Sequence, residues 1–284
     1  MAKQSRKQRK KTTANKPAGP SMAELADRHE LYEKSVQNAE TEVDFVGETF
    51  EELRGRKLKL LREDFCGTAS VCAEWVSRGP NNLAIGVDLD PDVLQWGREN
   101  NLSRLDDEQR SRVNLLQENV LETTPEKADA ILAMNFSYWY FKQRDVLRGY
   151  FKHVREGLVD DGVFFLDCFG GYEAFRLLEE STENDGFTYT WDQSEYNPIT
   201  GDYVCHIHFE FPDGSKMKEA FTYVWRLWTM PELRELLTEA GFSKVTTYWE
   251  GESEDDDGEG DGVYEPAVEA DADAGWVCYI VAEK

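Results

Sequence analysis

The chain has 284 residues, a net charge of −24 and 40% hydrophobic residues, with 8 Trp, 15 Phe and 12 Tyr. This is one large domain, or one domain with appendages, with apolar mass for a full core. No run nears the ~18 apolar residues that span a bilayer, which argues against a membrane partner. A strongly acidic surface repels phosphate backbones and argues against nucleic acid as the main substrate.

Residues 1–21 lack apolar periodicity, and residues 1–17 hold seven Lys or Arg and no acid, so a disordered basic tail is expected. No apolar segment follows it, so no signal peptide is expected. Residues 22–55 read as helices, with Leu25, Leu31, Tyr32 and Val36 on one face and Val43, Phe45, Val46 and Phe50 on a second. Next come a strand over 57–62, a turn over 63–69, a helix over 69–77 and a strand over 83–87 ending at Asp88. Strand, helix and strand in so short a span form a right-handed βαβ unit. Its first turn is where backbone N–H groups meet a ligand, and an acid after the second strand can accept hydrogen bonds from ribose hydroxyls. An adenosine-type cofactor over the C-terminal edge of a parallel sheet is therefore expected.

Further on, Asp90 and Pro91 open a helix to residue 101. Short strands follow over 113–116 and, as a continuous apolar run, over 128–134. An aromatic cluster (Phe136, Tyr138, Trp139, Tyr140) comes next, then a helix over 144–158 and a fifth strand over 163–168. Five strands, most followed by a helical pattern, imply an α/β, doubly wound, mostly parallel sheet. After Asp185 the period changes to two, which predicts an antiparallel β insertion over 185–228. Thr229 and Glu232 form a capping box for a helix to Ala240. The last strands lie over 244–250 and 276–282. Between them, residues 251–275 are expected to be a disordered acidic loop, the twelve Asp or Glu of 250–274 meeting no base.

The run Glu63-Asp64-Phe65-Cys66-Gly67-Thr68-Ala69, with Gly86-Val87-Asp88-Leu89-Asp90-Pro91, resembles the class I (Rossmann-like) S-adenosylmethionine (SAM)-dependent methyltransferases. Their first motif commonly reads acidic-x-Gly-x-Gly-x-Gly; here Phe65 and Ala69 replace two glycines, leaving Gly67 as the residue that takes positive φ cheaply. The resemblance implies a seven-stranded sheet closed by a C-terminal antiparallel hairpin, an N-terminal helical lid (22–55) and SAM as cofactor. Residues 22–284 would form the methyltransferase domain, with the β insertion over the acceptor pocket. It implies cofactor contacts from Glu63, Cys66, Gly67, Thr68, Asp88 and Leu89, and from Asn119 and Val120 at the adenine. Tyr32 would reach the cofactor carboxylate, or else pack its helix onto the sheet. Asn119 has the alternative of a turn cap. Asn135 would face the transferring methyl. Arg226 would bind an acceptor carboxylate, or else pair with the acidic surface.

Methyl transfer needs no strong catalytic residue, because the cofactor carries the reactivity. Tyr138, Tyr140 and His153 are the base candidates, and at least two of the clustered aromatics belong to the core. Five scattered Cys without Cys-x-x-Cys spacing indicate neither zinc nor disulfides and fit a reducing cytoplasm. Cys205-His206-Ile207-His208 gathers no further ligands nearby, so no metal is expected. The preferred reading is methylation of a small-molecule acceptor at N, O or S. Its rivals are methylation of a protein or ribosomal component, with the basic tail as docking arm, and a non-catalytic protein retaining the fold.

Overall fold

A computed structural model describes residues 19–252 and 260–284. The basic-tail expectation therefore lies almost wholly outside the described residues, as does the centre of the acidic loop. In chain order the elements are α1 (Met22–Leu25), α2 (Arg28–Ser35), α3 (Ala39–Arg54), β1 (Leu60–Asp64), α4 (Ser70–Ser77), β2 (Leu83–Asp88), α5 (Pro91–Asn100), α6 (Asp107–Ser111), β3 (Val113–Gln117) and β4 (Ala128–Ala133). There follow α7 (Arg144–Gly157), β5 (Leu158–Gly170), β6 (Leu178–Asn184), β7 (Phe187–Tyr196), β8 (Asp202–Glu210), β9 (Lys216–Arg226), α8 (Met230–Ala240), β10 (Lys244–Glu252), β11 (Gly260–Ala267) and β12 (Trp276–Glu283).

The main sheet runs β11-β10-β12-β5-β4-β1-β2-β3. Strands β1 to β5 pair in parallel, and β12, β10 and β11 add antiparallel. Successive strand residues serve opposite faces. Ile131 and Ala133 join one core layer with Phe151 of α7 and Leu236 of α8. Ala130 and Leu132 join the other, with Val46 of α3 and Val76 of α4. This is the expected doubly wound architecture. The chain steps outward from β1 through β2 to β3 and then returns to β4 on the opposite side of β1. The crevice between the β1 and β4 exits is the topological switch point, where open α/β sheets bind ligands.

β1 and β5 shift by a few residues from expectation, to Leu60–Asp64 and Leu158–Gly170, and two larger differences change the sheets. The sheet has eight strands rather than seven, because β11 forms inside the acidic segment that composition marks as loop. β11 pairs only with β10, so most of its residues stay exposed and need no apolar alternation. The β insertion begins earlier, at β6, and forms a separate four-stranded sheet in the order β6-β7-β8-β9. Its inner face carries Phe187, Ile207 and Phe209, which share a third apolar cluster with Leu31, Ala23 and Val36 of the N-terminal helices. The N–H groups of Met22 and Ala23 donate to Asp213 Oδ2 (2.9 Å) and Ser215 Oγ (3.0 Å). The N-terminal helices and the insertion thus pack on each other above the crevice. Among the described residues, no helix is long and apolar enough to cross a membrane.

Candidate functional site

The β1–α4 loop carries left-handed backbone at alternate positions: Phe65, Gly67 and Ala69 have φ of 59°, 51° and 57°. For an L-residue this costs roughly 1–2 kcal/mol. Packing offsets it here. The Phe65 ring lies 5.8 Å from both Phe141 and Tyr150, and Ala69 is fully buried with its N–H donating to the Cys66 carbonyl (2.8 Å). The loop therefore keeps the conformation that a Gly-x-Gly-x-Gly sequence adopts freely. Cys66 donates its N–H to the Val87 carbonyl (3.0 Å), and its sulfur sits where a Cβ on Gly86 would come within 2.8 Å. Cys66 thus packs behind the loop rather than in front of it. A Cβ on Gly97 would lie 2.4 Å from the Thr68 carbonyl oxygen, so only glycine lets α5 pass this close.

The carboxylates around the loop divide by partner. Asp88 closes β2 and accepts from the N–H groups of Gly67 and Asp90, each at 2.9 Å. Burial pushes its pKa up, and the N–H groups oppose that rise. Beside it Leu89 is 64% exposed at the open rim. Asp64 has its cation: Arg62 at 2.7 Å, with Tyr150 donating at 2.9 Å. Glu63 is buried with only the Cys72 thiol as side-chain partner (3.2 Å), and burial pushes its pKa up to about 8. A buried, unneutralised carboxyl facing a cavity is a seat for a cation.

At the β4 exit Asn135 and Phe136 are consecutive left-handed residues, with φ of 54° and 56°. Their N–H groups donate to the two oxygens of Asp167 at 2.7 and 2.9 Å. Asp167 sits on β5; burial pushes its pKa up to about 7, and these N–H groups pull the other way. It holds the Asn135 turn at the crevice.

Two cavities meet there. The smaller, about 120 Å³, is lined by Glu63, Gly67 and Thr68 from the loop, by Met134 and Asn135, and by His29, Tyr32 and Phe221 from the cover. The larger, about 910 Å³, lies under the second sheet and is lined by Phe136, Phe169, Trp191, Tyr223, Trp225 and Trp276 among others. Tyr32 and Asn135 line both. The cover is tied down: Thr68 Oγ and Asn101 Nδ2 donate to the Glu33 carboxylate, the latter at 2.7 Å, and Ser70 Oγ donates to Gln37 (3.1 Å).

Of the residues expected from sequence, Tyr32, Glu63, Gly67, Thr68 and Asn135 come together at the smaller cavity; Asp88 holds the Gly67 N–H from behind, and neither it nor the exposed Leu89 lines either cavity. Others are placed elsewhere. Asn119 accepts from the Leu121 N–H (3.0 Å) as a turn cap, and Val120 is buried in the core; neither lines a cavity. Tyr138 is no base: it is fully buried, donates to the Asp167 carbonyl (2.6 Å), and burial holds its pKa far above the usual phenol range. Tyr140 points out, 67% exposed, and lines neither cavity. His153 meets the Thr123 carbonyl at 2.6 Å, which fixes the loop before β4. Arg226 stacks on Trp228 (3.7 Å) and pairs with Glu232 (2.8 Å), so its charge is neutralised outside both cavities. His206 and His208 meet Thr222 and Asp192, and among the described residues no group of His, Cys, Asp and Glu could hold a metal.

Sequence reasoning missed Asp167, Glu33 and the ring wall of the second sheet. Asp167 did leave a signal, a lone acid inside the apolar run VFFLDC. The ring wall left another: Tyr189, Trp191 and Gln193, then Tyr223 and Trp225, are spaced by two and share faces. Glu33 left none, since its partners Thr68 and Asn101 are distant in sequence.

No protein-family model matches the chain, and no curated protein matches it. Solved structures do. An S-adenosylmethionine-dependent methyltransferase from Clostridium acetobutylicum superposes with a TM-score of 0.66 at 17% identity, covering 90% of this chain and 96% of that one. CalS10, an amino pentose methyltransferase from Micromonospora echinaspora, gives 0.63 at 15% identity over 90% and 95%. The sugar N-methyltransferase KedS8 from Streptoalloteichus gives 0.60 at 16% identity over 97% and 99%. The fold is that of class I SAM-dependent methyltransferases.

Proposed function

We propose that this chain is a SAM-dependent methyltransferase whose acceptor is a small molecule held in the larger cavity. The observation that carries the reading is the junction: a small, acid-lined cleft at the switch point opens onto a large aromatic cavity beside Asn135 and Tyr32.

The residues present suit the cofactor. Glu63 lacks a counter-cation and faces the cleft, which suits an ammonium or sulfonium group. The loop presents its backbone and the start of α4, and Asp88 has lone pairs left for ribose hydroxyls. Leu89 offers an apolar surface to a base at the rim. When bound, SAM supplies an electrophilic methyl on a positively charged sulfur. The chain's own part is to hold the acceptor atom about 3 Å from that carbon and in line with the sulfur, and to keep water out. Asp167 fixes the Asn135–Phe136 turn for the first task. Tyr32 and Phe221, tilted rings with centroids 4.9 Å apart, cover the junction for the second. The non-catalytic reading rested on the missing glycines, and it loses that support because Phe65 and Ala69 keep the loop's left-handed geometry.

Calorimetry with SAM and with its demethylated product tests the first half; binding of both is expected, and binding of neither removes the reading. Incubation with methyl-labelled SAM and a metabolite extract tests the second. Label is expected in the small-molecule fraction, and label confined to macromolecules would move the acceptor to another class.

A further inference from the structure

The larger cavity has a distinctive lining for its size. About 910 Å³ is near the top of the ~300–1,000 Å³ range of small-molecule pockets. Four carboxylates line it, Glu173, Glu180, Glu250 and Asp273, and among its described lining residues there is no Lys, Arg or His. Two of the four are already engaged: Glu173 by Arg176 and Glu250 by the Gly262 N–H (3.0 Å) and the Tyr264 hydroxyl (3.2 Å). Glu180 and Asp273 are exposed and have no cationic partner among the described residues. Deeper in, the rings of Trp191, Tyr223 and Trp225 form one wall, with centroids 4.4 to 6.2 Å apart. Tyr223 and Tyr32 interact through their hydroxyls, and burial raises both above the usual phenol range, so they stay neutral. An uncharged π wall behind an acidic rim attracts cations and offers nothing to anions.

Resting on the methyltransferase reading, we infer that the acceptor is an aliphatic amine on a ring-bearing scaffold, methylated at nitrogen. The rim carboxylates draw in the protonated amine. A proton leaves to water at the open rim, and the neutral nitrogen enters the ring-lined end. Its lone pair forms the new N–C bond as the C–S bond breaks, and that electron pair stays on sulfur. Positive charge passes from sulfur to nitrogen, from the Glu63 side of the junction to the ring wall, which suits the ammonium that forms. No buried base is required, in keeping with Tyr138 and Tyr140 lying outside the cavity.

The test uses the full chain saturated with demethylated cofactor and three probes of one skeleton: tryptamine, tryptophol and indoleacetate. Ligand-observed NMR titration is expected to rank tryptamine about tenfold tighter than tryptophol, a cation–π difference, with indoleacetate weakest. Glu180→Gln, at an exposed site, is expected to narrow the amine-to-alcohol ratio about threefold while binding of the demethylated cofactor stays unchanged. Equal binding of all three probes, binding of none, or a ratio unmoved by Glu180→Gln overturns the inference. If the demethylated cofactor itself fails to bind, the methyltransferase reading falls first and this inference with it. If it binds and the amine shows no preference, only the amine assignment is lost.

Discussion

Asp88 and Glu63 are both acids at strand ends, but they meet the site differently. Asp88 accepts from the N–H groups of Gly67 and Asp90, so its removal should cost these anchors as well as the proposed ribose contact. Asp88→Ala is expected to weaken SAM binding by about 1.5–3 kcal/mol, the worth of hydrogen bonds to a charged group, in calorimetry; unchanged affinity refutes it as a ribose ligand. Glu63 is held near a pKa of 8 by burial. An acid whose folded pKa lies above its unfolded value stabilises the fold fully below the unfolded value. That contribution fades as pH rises towards the folded value. Ligand-free stability should therefore fall between about pH 5 and 8, with Asp167, raised to about 7, adding to the slope. Urea titrations of Glu63→Gln are expected to give a shallower fall across that window. Glu219 is a simpler case. It is exposed, at φ 50°, at a bulge opposite β8. Glu219→Gly should raise stability by up to about 1 kcal/mol, read as a higher urea midpoint, because only the left-handed strain is relieved.

At the level of elements, legibility followed burial. β2 and β4 announce themselves as apolar runs because both faces are covered, and Asp88 is visible because it breaks such a run. The α5 and α8 starts were legible through caps, with Asp90 accepting from the Asp92 and Val93 N–H groups and the Thr229 N–H and hydroxyl donating to the Glu232 carboxylate. β11 was not legible, because an edge strand paired on one side can be almost entirely polar. Tyr138 and Tyr140 were misassigned because an aromatic in a loop reads alike whether it lines a cavity, fills the core or faces solvent. For Arg226 the sequence left an acceptor carboxylate and a salt bridge open, and the structure has the salt bridge, to Glu232 of the next helix. The segment after β10 is also part of the site: Asp273, Ala274 and Gly275 line the larger cavity, and the Tyr172 and Glu173 N–H groups donate to the Asp273 and Ala274 carbonyls. Replacing residues 260–275 by a short turn is expected to lower kcat/KM for the acceptor at least about tenfold with SAM affinity unchanged. A fully active product would show that this strap is dispensable.

Across the whole molecule the acidic balance and the acidic cavity rim act together. The surface as a whole carries a field that repels anions and concentrates small cations, an effect that salt screens over about 10 Å at 0.1 M. Association of an amine acceptor should therefore slow as ionic strength rises, whereas the closed, mainly aromatic depth of the cavity should keep its dissociation rate nearly constant. The helices of the cover, the second sheet, the β1–α4 loop and the β4 exit meet around Tyr32, Phe221, Thr68 and Asn135, so the site is assembled from stretches well separated along the chain.

The tie from Glu33 to Thr68 and Asn101 has a kinetic consequence. The cleft beneath α2 holds only about 120 Å³, well under the ~300 Å³ of small-molecule pockets, so seating a nucleoside-sized donor should require that tie to release. Tyr32 of the same helix also lines the outer chamber, so an acceptor seated there should oppose the release. Turnover should thus follow a compulsory sequence, the methyl donor entering before the acceptor and its spent form leaving last. Initial-rate analysis should then find the spent donor competing with fresh donor and not with the acceptor.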